Sequence, residues 1–428
     1  MKRSLPFLAL STVLLATACG GGDSGSGGDG TLAAEDPQSV TGTVTWWDTS
    51  NEAEGPAYDQ LIEEFEAEYP NITVERVTVS FDSAEQQFKT AAQSGDGAPD
   101  VLRSDVGWTA GLASLGYLQP LNGTMLLDEA DAFMEGPVEA ATYDGEVFGI
   151  PQVTDTLGLI YNRELFDDAG IEEPPETWDE FVEVAQTIEE ETGVPGTQLN
   201  PEGYFTLPMI YGEGGDLLDT ELEAITVNSS AAVSGVQRTV EMVDSGVSLD
   251  PATTDGYIAM QTAFKDRRIA MVINGPWSVS DSLGGDAFED PENLGIATIP
   301  GGPEDRAAPI GGHNYSVFRG SENKDATYLF IDYMTSAESQ EFAAIENNTL
   351  PTRWDAYTDA VTSDPAKAAF QEAMEFARSR PAVPGIGDMF ALFDQHYVGI
   401  LRGTDTQAGL DELAEEWQST LVPEYSID

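Results

Sequence analysis

The 428-residue sequence has one cysteine, Cys19, and two histidines, His313 and His396. A lone thiol forms no disulfide scaffold and no thiol redox pair, and so few Cys and His residues exclude zinc fingers and most Ser-His-Asp or Cys-His catalysis. Cations are scarce as well: 18 Lys and Arg stand against 76 Asp and Glu, a formal charge of −58. Such a surface repels phosphate backbones and anionic headgroups, so nucleic acid is not an expected partner. The sequence contains no Gly-rich phosphate loop, no calcium loop of alternating Asp/Asn with a spaced Glu, and no internal repeat, so no metal or other cofactor is expected. What is present is a globular proportion of apolar residues, 41%, and length for two or three folding units at roughly 150 residues each.

The apolar stretch Leu5 to Ala16 is too short to span a bilayer. With Lys2 and Arg3 before it and the small residues Thr17 and Ala18 after it, it has the layout of an export signal. Ala16-Thr17-Ala18-Cys19 resembles a bacterial lipobox, with its leucine one place early at Leu15. The resemblance implies a signal peptide over residues 1–18 and lipidation of Cys19. Residues 19–38, Gly/Ser/Asp-rich as far as Gly30, then form a flexible lipid-anchored linker, because that composition buries too little surface to offset its chain entropy. Losing Lys2 and Arg3 takes the formal charge to −60. The expected location is the outer face of the cell membrane, held by one diacylglycerol anchor.

The body alternates strands with helices. Gly42 to Trp47 reads as a strand, Tyr58, Leu61, Ile62, Phe65 and Tyr69 recur at helical spacing, and Ile72 to Ser80 is a second strand. A helix over Ala84 to Gln93 and a strand over Pro99 to Arg103 follow. Thr177-Trp178-Asp179-Glu180 is a capping box opening a helix that Gly193 stops. Later strands are Arg268 to Ile273 and Leu294 to Ile299, and the closing helix carries Leu410, Leu413, Ala414, Trp417 and Leu421 on one face. This α/β alternation predicts mostly parallel sheets covered on both faces, with ligands at the carboxyl ends of the strands.

Trp46-Trp47-Asp48-Thr49-Ser50, Gly97-Ala98-Pro99-Asp100-Val101, Tyr161-Asn162, Tyr204-Phe205-Thr206, Asn274-Gly275-Pro276-Trp277 and Leu350-Pro351-Thr352-Arg353, in that order, resemble the maltose/maltodextrin-binding lipoproteins of bacterial ABC importers. The resemblance runs from about Thr41 to the C-terminus. It implies a two-lobed periplasmic-binding-protein-like fold of the class II type, with three hinge crossings near Thr154-Asp155, Ala308-Pro309 and Asp364-Pro365. Lobe one is then residues 39–154 and 309–364, and lobe two 155–308 and 365–428. It further implies a monomeric, non-catalytic receptor that captures an α-glucan oligosaccharide between the lobes and presents it to a membrane permease. Two alternatives stay open: the same fold binding another solute such as trehalose, xylo-oligosaccharide, lactose or a polyol, and a secreted glycoside hydrolase, whose paired acids would also sit beside aromatic platforms.

A pyranose ring has an apolar C–H face and a rim of hydroxyls, so its site needs flat aromatic platforms ringed by ionised or amide groups. Trp277, after the turn Asn274-Gly275-Pro276, is the first platform; its alternative is a core tryptophan under that turn. Tyr204 and Phe205 form a second ledge, with Glu202 placed to accept from a hydroxyl; Phe205 alone also reads as core. Tyr257 and Phe390 match family positions whose aromatics face sugar, and Phe390 stands where the family has tryptophan. For the rim, Asp48 and Asp155 follow strands and match polar positions facing the cleft. Ser50, Glu85, Arg103, Asp105 and Trp108 lie on the next loops and helix starts of lobe one. Gly311-Gly312-His313-Asn314 reads as a tight turn in which His313 is a hydrogen-bonded structural residue, with a ligand-binding role as its alternative. Arg353, Arg380 and Asp388 are weaker candidates, and a structural salt bridge explains Arg380 equally well.

Overall fold

Alternation along Gly42–Asp48 (β1) turns Val44, Trp46 and Asp48 inward, the period-2 pattern of a strand with one packed face. The computed structural model describes residues 36–381 and 383–427; Cys19, the expected export signal and most of the expected linker lie outside them. Helix Gly55–Glu68 (α1), with Pro56 in its first turn, buries Tyr58, Leu61, Ile62 and Phe65. Ile72–Thr78 (β2), Phe81–Ser94 (α2) and Val101–Asp105 (β3) continue the alternation, and α2 stops at Gly95 in the left-handed region, φ 70°.

Only Leu157 separates Ile150–Thr156 (β4) from Gly158–Asn162 (β5), and across that residue the chain passes from one sheet to another. Helix Trp178–Thr192 (α3) opens on the Thr177–Glu180 capping box and closes at Gly193, φ 75°, as its sequence predicts. Thr197–Gln198 (β6), Ser248–Leu249 (β7), Met271–Asn274 (β8) and Leu294–Ala297 (β9) fill out the second sheet. Ala308–Val317 (β10) re-enters the first, Leu350–Pro351 (β11) joins its edge, and Ala377–Arg378 (β12) pairs with the start of β10. Helices Pro365–Ala373 (α4), Ile386–Leu401 (α5) and Thr406–Thr420 (α6) end the chain.

The first sheet has the order β11-β4-β10-β3-β1-β2 and the second β7-β6-β8-β5-β9. Neither is mostly parallel, which corrects the sequence expectation. β1 is parallel to β2 and β3, but β10 runs antiparallel to β3 and β4, and β5 runs antiparallel to β8 and β9. Strands that carry the chain between sheets arrive from the far side, so they enter the ladder reversed. Nor is Gly311-Gly312-His313-Asn314 a turn. It lies inside β10, where the register shifts between His313 and Asn314 and Gly312 takes φ 132°; a Cβ there would run into the Val153 carbonyl. β8 starts three residues later than expected because the left-handed Arg267, φ 57°, and the bond from Arg268 N–H to the Ala263 carbonyl first close the preceding helix.

Each sheet has its own core. Trp46 sits 5.6 Å, ring to ring, from each of Tyr58, Tyr315 and Phe330 under the first sheet. The second sheet packs on Leu159, Met271 and Ile273, and a further cluster away from it is built by α6, which buries Leu410, Leu413, Ala414 and Trp417; the Trp417 indole N–H donates to the Met389 carbonyl at 3.2 Å, which pins α5.

Candidate functional site

Trp277 owes its position to backbone chemistry at the end of β8. Asn274 Oδ1 accepts the Gly275 N–H at 2.9 Å, and Gly275 is packed so tightly beneath the indole that a Cβ would overlap the ring. The half-buried indole donates from Nε1 to the Tyr257 hydroxyl at 3.0 Å, and burial pushes that hydroxyl's pKa up to about 12. Tyr257 in turn lies 6.0 Å from Phe205. Phe205 is 8% exposed and belongs to the second lobe's core, so its side chain supports this aromatic group from beneath.

A second cluster gathers about Arg380. Its Nη2 donates to Asp105 Oδ1 at 2.9 Å, its Nε donates to the Ile310 carbonyl at 3.2 Å, and its guanidinium lies 5.4 Å from the Tyr204 ring centroid and 5.9 Å from that of Phe390. Asp105 also caps the short turn Val106–Trp108 through the Gly107 N–H. Asp155, opposite Gly311 in the β4–β10 ladder, is buried; burial, reinforced by the Asp105 charge and opposed by Arg380 and Arg103, pushes its pKa up to about 7. Glu202 is pushed up to about 7 by burial and by Asp394 and Asp82. Asp105, Asp155, Tyr204, Arg380 and Phe390 therefore form one group and Trp277, Tyr257 and Phe205 another, joined where the Tyr204 and Phe205 rings meet edge-on at 5.5 Å.

Asp48 and Ser50 join neither. Asp48 is fully buried; its Oδ1 accepts the Ser50 N–H, and its Oδ2 accepts both the Ser50 hydroxyl at 2.7 Å and Arg76 Nη1 at 2.9 Å. The two residues brace the loop after β1. Arg103 is likewise turned inward, to Gln152 at 2.7 Å, and Arg353 is engaged by Asp355 and Glu129. Among the described residues His313 has no hydrogen-bond partner on either ring nitrogen, contrary to expectation; it meets Phe81 edge-on at 5.9 Å, and burial lowers its pKa, which favours the neutral imidazole.

The two sheets' lobes touch across this region. Asn51 Nδ2 donates to the Trp277 carbonyl at 3.2 Å, and Lys89 on α2 binds both Glu85 at 3.0 Å and the half-exposed Asp388 of α5 at 3.1 Å. Trp108 lies against the backbone of Gly387 and 5.1 Å from the exposed ring of Phe81. Sequence reasoning passed over Asn51, Phe81 and Lys89. Asn51 carries one signal, its place just after a strand's carboxyl end; Phe81 and Lys89 sit on a helix with no motif to distinguish them.

Residues 49–341 match the family described as bacterial extracellular solute-binding protein. The chain belongs to that family. Membership implies a place outside the cytoplasm, and no helix among the described residues is long and apolar enough to cross a membrane. The solute-binding fold extends over the whole body: the GacH receptor of Streptomyces glaucescens, solved unliganded and with acarbose and an acarbose homolog, is 38% identical, with a TM-score of 0.87 over 90% of this chain and 100% of that one. The maltose-bound MalE3 of T. maritima is 25% identical at a TM-score of 0.81, over 89% of this chain and 100% of that one. The maltotriose-binding protein of Pyrococcus abyssi is 26% identical over 355 residues, 81% of this chain and 75% of that one. This solute-binding protein therefore has the two-lobed mixed α/β fold that its sequence resemblance implies, and its relatives are receptors rather than enzymes.

Proposed function

We propose that this protein is the substrate-binding component of a sugar ABC importer, that it holds a maltose or maltodextrin-type α-glucan oligosaccharide between its lobes, and that it delivers the sugar to a membrane permease. The observation that carries this reading is the half-buried Trp277–Tyr257 pair on the second lobe, with Glu202 within electrostatic reach of Tyr257, beside the polar group of Asp105, Asp155 and Arg380. Aromatic area serves the ring face and charged groups serve the hydroxyl rim. Closure by rotation at the three crossings follows if sugar touches both lobes, because the ligand then binds the closed form more tightly than the open one. Cys19 is the proposed lipid anchor, and residues 39–154 with 309–364 the proposed first lobe.

An acarbose-type pseudo-oligosaccharide is the second reading, favoured by the 38% identity to a receptor solved with acarbose. Calorimetric titration with maltose, maltotriose, acarbose, trehalose and xylobiose ranks these ligands; binding of xylobiose but of no α-glucan refutes the primary reading. Release of reducing ends from maltodextrin would instead mark a hydrolase. For the anchor, Cys19→Ser is expected to leave the membrane fraction or persist as uncleaved precursor; retention of a processed protein through carbonate washing rules lipidation out.

A further inference from the structure

Where the lobes meet, anion is set against anion at two places. At the first, one ammonium serves two carboxylates: Lys89 binds Glu85, its neighbour one turn back on α2, and Asp388 from the other lobe. The Gly387 backbone is seated on Glu85 so closely that a Cβ would come 2.6 Å from Oε2, while Asp105 adds a further negative charge nearby. At the second, Glu202 and Asp394 of lobe two come within electrostatic reach of Asp82 in the first turn of α2; also facing this pair are the Asn200 amide and the Tyr257 hydroxyl toward Glu202 and the Gly203 N–H, which donates to Asp394 at 2.7 Å.

We propose that closing the cleft takes up protons, so that oligosaccharide binding tightens as pH falls from about 8 to about 6. Withdrawing α5 from α2 rehydrates Glu85 and separates it from Asp388, and the same motion separates Asp82 from Glu202 and Asp394. In the open protein Glu85 therefore titrates nearer the ordinary carboxylate range, whereas Glu202 and Asp394 stay together on lobe two and lose only Asp82. Closed, burial pushes Glu85 up to about 7, against the pull of Lys89 and with the help of Asp388 and Asp105, while Glu202, about 7, and Asp394, about 6, are held up chiefly by burial. The closed form thus holds protons that the open form has released. Its advantage is complete at low pH and is lost as pH rises through the closed-state values. One carboxyl displaced to this extent changes the closing equilibrium about tenfold between pH 8 and pH 6.

This inference rests on the proposed function only in taking an oligosaccharide as the trigger. Maltotriose is titrated by calorimetry at pH 6, 7 and 8, each in two buffers of different ionisation heat. The expected result is a Kd about tenfold lower at pH 6 than at pH 8, with net proton uptake at pH 7. Glu85→Gln is expected to flatten the profile by raising affinity at pH 8, and Asp388→Asn to reduce the uptake while leaving Glu85 in place. Equal Kd values at pH 6 and 8 with identical heats in both buffers overturn the proposal. Should no sugar of the panel bind at any pH, the ligand reading fails separately, and small-angle scattering of the unliganded protein decides: a smaller radius of gyration at pH 6 than at pH 8 supports proton-linked closure, and equal radii overturn it.

Discussion

Two residues read from the same sequence pattern separate sharply by what surrounds them. Trp277 keeps part of its ring exposed and ties its indole N–H to Tyr257, so it remains free to stack on a sugar. Trp277→Ala is expected to weaken oligosaccharide binding by about 2 kcal/mol, roughly thirtyfold in Kd by calorimetry, the usual loss on truncating a central aromatic. Asp48, also placed after a strand, is spent on Arg76 and Ser50. Removing it strands a mostly buried guanidinium whose remaining partner is the exposed Asp59, so Asp48→Ala is expected to lower folding stability by about 3 kcal/mol in a denaturant titration and to change sugar affinity little. Unchanged stability with lost affinity would return Asp48 to the binding site.

At the scale of elements, the turn from β8 into Pro276–Ser278 is the part that positions Trp277, the proposed platform. A methyl group at Gly275 occupies the space of the Trp277 ring, so Gly275→Ala must swing the indole out while its own backbone, φ −108°, is unstrained. Its circular dichroism is expected to match the parent while its affinity falls by about tenfold or more. In a double-mutant cycle the Gly275→Ala/Trp277→Ala protein is expected to bind no worse than Trp277→Ala alone, because both changes remove one contact. Additive losses would mean that Gly275 acts through something other than the indole. Much of this was legible in sequence: Asn274-Gly275-Pro276 marks a turn, and a capping box marks the start of α3. The strand directions were not, since pairing between β10 and its neighbours joins residues some 160 to 210 positions apart, and hydrophobic alternation is the same for parallel and antiparallel strands.

For the molecule as a whole, 76 acidic groups against 18 basic ones act collectively. Ion pairs answer few of them, so the folded chain repels itself, and added salt shortens the reach of that repulsion from about 30 Å at 0.01 M to about 3 Å at 1 M. The melting temperature is therefore expected to rise with NaCl when followed by calorimetry. A flat or falling melting temperature between low and molar salt would show that self-repulsion contributes little to stability.

The sequence by itself determined what is local or collective: the acidic charge, the periods of β1 and α3, and the turn residues Asn274-Gly275-Pro276 ahead of Trp277. These follow from side-chain chemistry and spacing along the chain. Tertiary structure alone decided which candidates meet. Asp155 and Arg380 are 225 positions apart in sequence, yet burial in one group makes the charge of each a term in the protonation of the other. Asp48 and Asp105 both end strands of one sheet, but Arg76 on β2 turns the first into a brace, while Arg380, arriving from beside α5, brings the second to the cleft. A carboxylate's role depends on the cation and the solvent it finds, and neither is written beside it in the chain.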